Sequence, residues 1–262
     1  MDYFISDDSL KCISNFSNSF KNGLPFSHGI FDGFVDPLRL KQIESEFPKP
    51  EHIQWWKYDN ALEKKLAQDN LALIPPIIRQ LIHEMMEKRF VSMLEALTGI
   101  PHLIVDHNLS GGGLHQILPG GKLDIHADYN YHPFTKLDRR LNVLLYLNSN
   151  WDFSWGGDLE FWDEQMHFIH GSKIAPIFNR MVVFTTTDKA FHGHPEPLKC
   201  PEGITRKSIA LYYYTNGRPL EEVSPPHATI FKRRPQDPFD SEVERLRIKR
   251  AIRKQGAWGV QE

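Results

Sequence analysis

The residues best placed to do chemistry are His126 and Asp128, separated by Ala127. They follow Gly120-Gly121-Lys122-Leu123-Asp124-Ile125, which reads as a turn and then a short alternating strand. Residues two apart on a strand point to one face, so this imidazole and this carboxylate can reach a single metal ion. A third ligand from elsewhere would complete a two-histidine, one-carboxylate facial triad, whose open positions suit non-haem Fe(II). Alone the triplet is a weak signal, since a surface histidine beside an aspartate gives the same pattern. The later stretch Phe191-His192-Gly193-His194 supplies two further histidines that share a strand face. His192, at a strand end with a small residue after it, is the preferred third donor, and His194 is the alternative. Beyond them, Arg206-Lys207-Ser208-Ile209-Ala210-Leu211-Tyr212 alternates, so Arg206 and Ser208 share a face. A guanidinium fork beside a hydroxyl is a good clamp for a terminal carboxylate. Read without the histidines, Arg206 would be a surface ion pair.

Holding these groups together requires several short strands. Between 102 and 216 the sequence predicts strands at 102–106, 114–118, 122–126, 139–148, 158–163, 167–175, 180–186, 190–193 and 206–215, separated by Gly, Asn, Asp and Pro. Short strands at this spacing indicate a sandwich, jelly roll or barrel. The first hundred residues read as mainly helical. Residues 1–24 are polar and predict a short helix or a loosely held arm, and 25–34 alternates as a strand. Asp36 can cap a helix that Pro37 begins and Pro48 ends, with Leu38, Leu40, Ile43 and Phe47 as its apolar stripe. A further helix is expected through Leu62, Leu66 and Leu71, and a long one over 77–98, stopped by Gly99. Trp55 and Trp56 read as core, with a substrate-facing lid as the alternative. No Pro/Gly/Ser linker divides the chain. The expectation is therefore one domain over 1–262, mainly β with helical support (α+β): a helical part at about 1–100, packed on one face of a β core at about 101–216. A basic helical tail is expected at about 232–256, with nine Lys/Arg against four Asp/Glu over 232–254. A solvated helix face is the simple reading of that tail, and contact with a partner or an anionic ligand the other.

Composition narrows the class without naming a function. A hydrophobic fraction of 40% with 24% charged residues over 262 positions is that of a folded globular chain. The formal charge of −2 gives no global reason to expect nucleic acid or an acidic membrane as partner. Cys12 and Cys200 sit in dissimilar contexts and read as ordinary thiols of a reducing compartment. Met1-Asp2-Tyr3-Phe4 lacks the basic region and apolar run of a signal peptide. No window approaches the roughly eighteen apolar residues of a membrane span. A cytoplasmic protein with no membrane partner is expected.

In their order and gaps, His126-x-Asp128, His192 and Arg206-x-Ser208 resemble the Fe(II)/2-oxoglutarate dioxygenases, and within them the prolyl 4-hydroxylase-like branch. The stretches Arg140-Leu141-Asn142-Val143-Leu144-Leu145-Tyr146-Leu147-Asn148, Trp155-Gly156-Gly157-Asp158-Leu159-Glu160-Phe161-Trp162 and 174–184 resemble the same branch. The ordered set carries the resemblance, over roughly residues 100–216, with weaker echoes at 26–48. It implies a double-stranded β-helix (jelly roll) with Fe(II) near one open end, held by His126, Asp128 and His192. It implies 2-oxoglutarate chelating the iron through its keto-acid end, with its far carboxylate on Arg206 and Ser208. Tyr146 matches a tyrosine that reaches the same carboxylate, Asn142 lies four residues earlier on that strand, and Gln116 matches a polar co-substrate contact. The implied co-reactants are 2-oxoglutarate and O2, with ascorbate as an optional addition. The implied reaction is hydroxylation of an unactivated C–H bond, coupled to conversion of 2-oxoglutarate into succinate and CO2. The carboxylate at Asp128 favours hydroxylation over halogenation, while desaturation and ring closure stay open. A short chain with no separate peptide-binding domain favours a small-molecule substrate, an amino acid or a derivative; a peptidyl-prolyl hydroxylase acting on a protein is the alternative. Readings from other classes are a non-catalytic jelly-roll module that binds a carboxylate ligand, and a cupin-like Zn or Mn enzyme.

Overall fold

Apolar alternation on two central strands sets the architecture. In β7 (Asp138–Tyr146) and β12 (Arg206–Thr215), Leu141, Val143, Leu145, Ile209, Leu211 and Tyr213 join one large core cluster. That cluster is completed by α4 (Pro76–Met86) and α5 (Lys88–Thr98), through Ile78, Leu81, Met85, Phe90, Leu94 and Leu97. The other face of the same strands carries Asn142, Leu144, Arg206 and Ser208 toward an internal cavity. Because side chains alternate, one strand thus serves both the helical support and the site.

The computed structural model describes residues 3–252. Its remaining elements are α1 (Asp7–Ser14), α2 (Ser17–Lys21), β1 (His28–Asp32), α3 (Pro37–Ser45), β2 (Trp56–Asp59), β3 (Glu63–Gln68), β4 (Ile104–Val105), β5 (Gly113–Ile117), β6 (Lys122–Ala127), β8 (Leu159–Trp162), β9 (Phe168–Ile174), β10 (Arg180–Thr185), β11 (Phe191–His194), β13 (Ile230–Phe231) and α6 (Ser241–Ala251). The strands form one antiparallel sheet in the order β1-β10-β7-β12-β5-β3-β6-β11-β8-β9. It curls into a jelly roll, with β10-β7-β12-β5 as one wall and β6-β11-β8-β9 as the other. β3 pairs with both β5 and β6 and so joins the walls.

Two expectations change and two open ones are resolved. The segment through Leu62 and Leu66 is not a helix but the second arm of the β2–β3 hairpin. Asn60 is the reason: its Oδ1 accepts from the backbone N–H groups of Leu62 and Glu63, and its own N–H donates to the Glu63 carbonyl, closing a turn. The predicted 77–98 helix is two helices, broken at Glu87, whose ψ of 153° is extended. Beside the break, the Glu84 carboxylate accepts from the N–H groups of Phe4 and Ile5, both at 2.8 Å. Of the two readings of the N-terminal segment, the short helix holds, as α1 and α2, and there is no loose arm: Phe4, Ile5, Leu10, Ile13 and Phe20 are core residues. The basic tail, finally, forms a helix that is solvated on one side and anchored on the other. Arg247 is buried and donates to Asp124 and Glu244, and Arg250 donates to Glu63. Residues 253–256 of that expected tail lie outside the described residues.

Trp55 is buried against Phe47, as expected, whereas Trp56 is half exposed and donates to Asp69. Neither lines the cavity. Cys12 is exposed and Cys200 buried, and both are free thiols. Among the described residues no helix is long and apolar enough to cross a membrane.

Candidate active site

The site begins where β6 and β11 pair. His192 lies directly opposite His126 in that ladder, so the two rings stand side by side with centroids 4.5 Å apart. Asp128 follows the end of β6 and turns its carboxylate to both. His126 Nε2 is 3.6 Å from Oδ1, and His192 Nε2 is 3.4 Å from Oδ2. One ligand atom from each of the three residues falls within 4.8 Å of the others.

Hydrogen bonds set the chemistry of these atoms. Nδ1 of His126 donates to the Asp124 carbonyl at 2.8 Å, and Nδ1 of His192 donates to the Ala190 carbonyl at 3.0 Å. A carbonyl only accepts, so each ring carries its proton on Nδ1 and presents an Nε2 lone pair to the shared space. Burial, reinforced by the neighbouring His192, lowers the His126 pKa and keeps that lone pair free. Burial alone would raise the Asp128 carboxyl, but the Arg139 guanidinium holds it well below the usual range. Oδ2 of Asp128 accepts from Arg139 Nη2 at 3.0 Å and from Asn142 Nδ2 at 2.7 Å, and among the described residues no hydrogen-bond donor reaches Oδ1. Two neutral imidazoles and one charged carboxylate are the donor set of a facial Fe(II) site.

These three residues border a cavity of about 110 Å³ between the walls. On the β12 side stands Arg206, 5% exposed. Its Nε donates to the Gly157 carbonyl at 2.8 Å and its Nη2 to the Tyr146 hydroxyl at 3.1 Å. Gly157 has to be glycine, because its φ is +77° and a Cβ there would lie 2.6 Å from Leu198 and 3.1 Å from Arg206. Among the described residues no carboxylate pairs with Arg206. A buried guanidinium without a counter-ion is costly, and an anion in the cavity would offset that cost. Ser208 lines the same space. Lys65 of β3 does too, but it is already paired with Glu63 at 3.3 Å.

The residues expected from the sequence therefore divide. His126, Asp128 and His192 converge. His194, the alternative third donor, lines the cavity but is not part of that cluster. Arg206 and Ser208 face the cavity together, with Tyr146 behind Arg206. Asn142 shares their face, yet its amide is engaged by Asp128 and its Oδ1 by Arg139, so it steadies a carboxylate of the protein itself. Gln116 points to the opposite face and donates to Thr205 at 2.9 Å; its strand neighbours His115 and Ile117 face the cavity instead. Burial and the nearby Lys65 charge push the His115 pKa down to about 3, so it is a neutral wall residue.

Arg139 was not legible beforehand. It lies three residues before Asn142, which on a regular strand would set them on opposite faces. The β7–β12 register shifts where Tyr213 pairs with Leu141 and Tyr214 with Arg139, so Arg140 is an extra residue on β7. This bulge turns Arg139 inward. Phe231 of β13, whose ring lies 5.3 Å from that of His126, was missed for another reason: only tertiary pairing of β13 with β6 brings it there.

Comparison with known proteins agrees with this geometry. Residues 112–214 match the 2OG-Fe(II) oxygenase superfamily. The β core is thus similar to that superfamily over 112–214. Its members use Fe(II), 2-oxoglutarate and O2, a set that suits the imidazole–carboxylate cluster and the unpaired Arg206. Over 110 residues, 40% of this chain, the sequence is 31% identical to mouse prolyl 3-hydroxylase OGFOD1. That stretch is 19% of the mouse protein's length. In fold, the chain resembles a Pseudomonas putida prolyl-4-hydroxylase with a TM-score of 0.53 and 14% identity, over 78% of this chain and 100% of that one. It also resembles a Trichoplax adhaerens prolyl hydroxylase, solved with a hypoxia inducible factor peptide fragment, with a TM-score of 0.51 and 18% identity over 79% and 91% of the two chains. The fold is thus similar to that of these two hydroxylases.

Proposed function

We propose that this oxygenase hydroxylates a C–H bond of a compact substrate, with Fe(II) held by His126, Asp128 and His192 and 2-oxoglutarate anchored through its far carboxylate by Arg206 and Ser208. One observation carries the reading: three ligand atoms converge on the same enclosed cavity as a buried arginine that has no carboxylate partner among the described residues. When bound, iron with 2-oxoglutarate and O2 supplies the oxidising power, and 2-oxoglutarate leaves as succinate and CO2. The chain's own part is geometric. Nδ1 bonds to two carbonyls aim His126 and His192, Arg139 and Asn142 hold Asp128 by one oxygen, and Tyr146 and Gly157 set the Arg206 fork. Phe184 and Phe231 pack on the two imidazoles and limit water around them.

A small-molecule substrate is favoured because Thr229, Phe231 and Arg250 add a wall to the cavity, and Arg250 is tied to Glu63, which lines it too. A prolyl residue in a protein is the second reading, supported by the 31% identity over 110 residues to a prolyl 3-hydroxylase. A succinate-release screen over free amino acids, their derivatives and proline-containing peptides separates the two. Anaerobic addition of 2-oxoglutarate to the Fe(II) protein should produce a visible charge-transfer band. A non-catalytic module or a zinc enzyme would give no such band, and its absence would reject the proposal.

A further inference from the structure

His194 has no task in the site as described so far. It stands two residues after His192, is 4% exposed, and lines the same cavity as Arg206 and Ser208. His126 and His192 both spend Nδ1 on backbone carbonyls, whereas His194 makes no hydrogen bond to any described residue, and its Nδ1 is fully enclosed.

Its placement is enforced by the backbone. The β11–β6 register shifts between His192, opposite His126, and His194, opposite Leu123. Gly193 permits the approach, since a Cβ there would lie 2.7 Å from the Leu123 carbonyl oxygen and 2.8 Å from that of Asp124. With β11 pressed so closely on β6, both imidazoles project to the cavity side.

The tautomer follows from the enclosure. A neutral imidazole has one N–H donor and one lone pair. An enclosed donor without an acceptor is the costlier defect, whereas buried acceptors are more often left unsatisfied. The proton therefore belongs on Nε2, the nitrogen that is not enclosed. A cavity with a guanidinium fork, a serine hydroxyl and an imidazole N–H presents three kinds of donor to one anionic group.

We propose that His194 is a co-substrate-binding residue whose Nε2–H donates to the far carboxylate of 2-oxoglutarate, alongside Arg206 and Ser208. This rests on the reading of the cavity as a 2-oxoglutarate site. It also separates the two neighbouring histidines by function: His192 for the metal, His194 for the acid.

The test is anaerobic titration of the Fe(II) protein, followed by the charge-transfer band, with calorimetry on the Mn(II) protein as a second readout. The probes are 2-oxoglutarate and 2-oxobutyrate, which keeps the keto acid and lacks the far carboxylate. In His194→Ala, affinity for 2-oxoglutarate should fall about tenfold, the loss expected for a hydrogen bond to a charged group. Affinity for 2-oxobutyrate, and for the metal alone, should stay at the wild-type level. His194→Gln, which keeps a donor, should fall between wild type and alanine. His194→Phe, which fills the space without a donor, should match alanine. Unchanged 2-oxoglutarate affinity in the alanine and phenylalanine variants would overturn the inference, as would equal weakening of both acids or loss of metal binding. If the alanine variant does not fold, the contrast between phenylalanine and glutamine decides. A wild-type protein without any 2-oxoglutarate-dependent band defeats the broader reading, while a wild-type band that His194→Phe leaves undisturbed defeats only the assignment of His194.

Discussion

Arg139 donates through Nη2 to Oδ2 of Asp128 at 3.0 Å, with its guanidinium held between two aromatic rings, 4.5 Å from the centroid of Tyr129 and 3.4 Å from that of Tyr212. Both tyrosines are tied down in turn, Tyr129 to the Ser110 carbonyl and Tyr212 to the Gly111 carbonyl. The pair lets a half-buried carboxylate stay charged while two donors occupy its Oδ2.

Removing one partner of such a pair leaves the other as an unmatched buried charge, at a typical cost of about 3–5 kcal/mol. Arg139→Met should therefore destabilise the apoprotein by roughly that amount in urea unfolding. The double variant with Asp128→Asn should be less destabilised than the sum of the two single variants. Additive losses would show that the ion pair does not couple the two residues.

The clamp is tested by binding, not by turnover. Arg206→Ala removes a charge-assisted partner of a buried carboxylate and should weaken 2-oxoglutarate binding by on the order of 2–5 kcal/mol. Lysine at this position keeps the charge but loses the fork and its bonds to Gly157 and Tyr146, so it should fall between. Ser208→Ala should cost about 0.5–1.5 kcal/mol. Affinity for Fe(II) alone should be unaltered in all three. An Arg206→Ala protein with wild-type affinity for 2-oxoglutarate would remove the arginine from the site.

Metal binding should divide three of the histidines that line the cavity, His126, His192 and His194. His126→Ala and His192→Ala each delete an Nε2 lone pair directed at the shared space and should abolish measurable Fe(II) binding. His194→Ala should bind Fe(II) as wild type does. Equilibrium dialysis of the four proteins against Fe(II) under anaerobic conditions gives the comparison; retained binding in His192→Ala with loss in His194→Ala would exchange their roles.

Gly193→Ala probes the closeness of β11 and β6. The added methyl would press on two backbone carbonyls that cannot rotate away, at 2.7 and 2.8 Å. Overpacking of this kind typically costs about 1–3 kcal/mol. Because the strands would separate at the metal ligands, Fe(II) affinity should fall together with thermal stability. A variant with lowered stability and intact Fe(II) affinity would show that the ladder relaxes away from His126 and His192.

By itself, the sequence determined the strand pattern of the β core and the residue sets that could act together. Strand alternation is a local property, so His126 with Asp128 and Arg206 with Ser208 could be placed on common faces from spacing alone. The same alternation could not say which of Gln116 and His115 faces the cavity. That phase is set when β5 pairs with β12 so that His115 lies opposite Ser208. Nor could it show Arg139 behind Asp128, because an extra residue in one strand is defined only against its partner. Leu62 and Leu66 were compatible with a helix until the Asn60 turn and the pairing of β3 with β5 and β6 made them part of a hairpin. The basic charges at Arg247 and Arg250 were visible, but their partners, Asp124 and Glu63, are more than a hundred residues away in the chain. Periodicity is carried by neighbouring residues; register, bulges and long-range ion pairs come into being only when distant segments meet, and these decided which of the candidate groups face one another across the cavity.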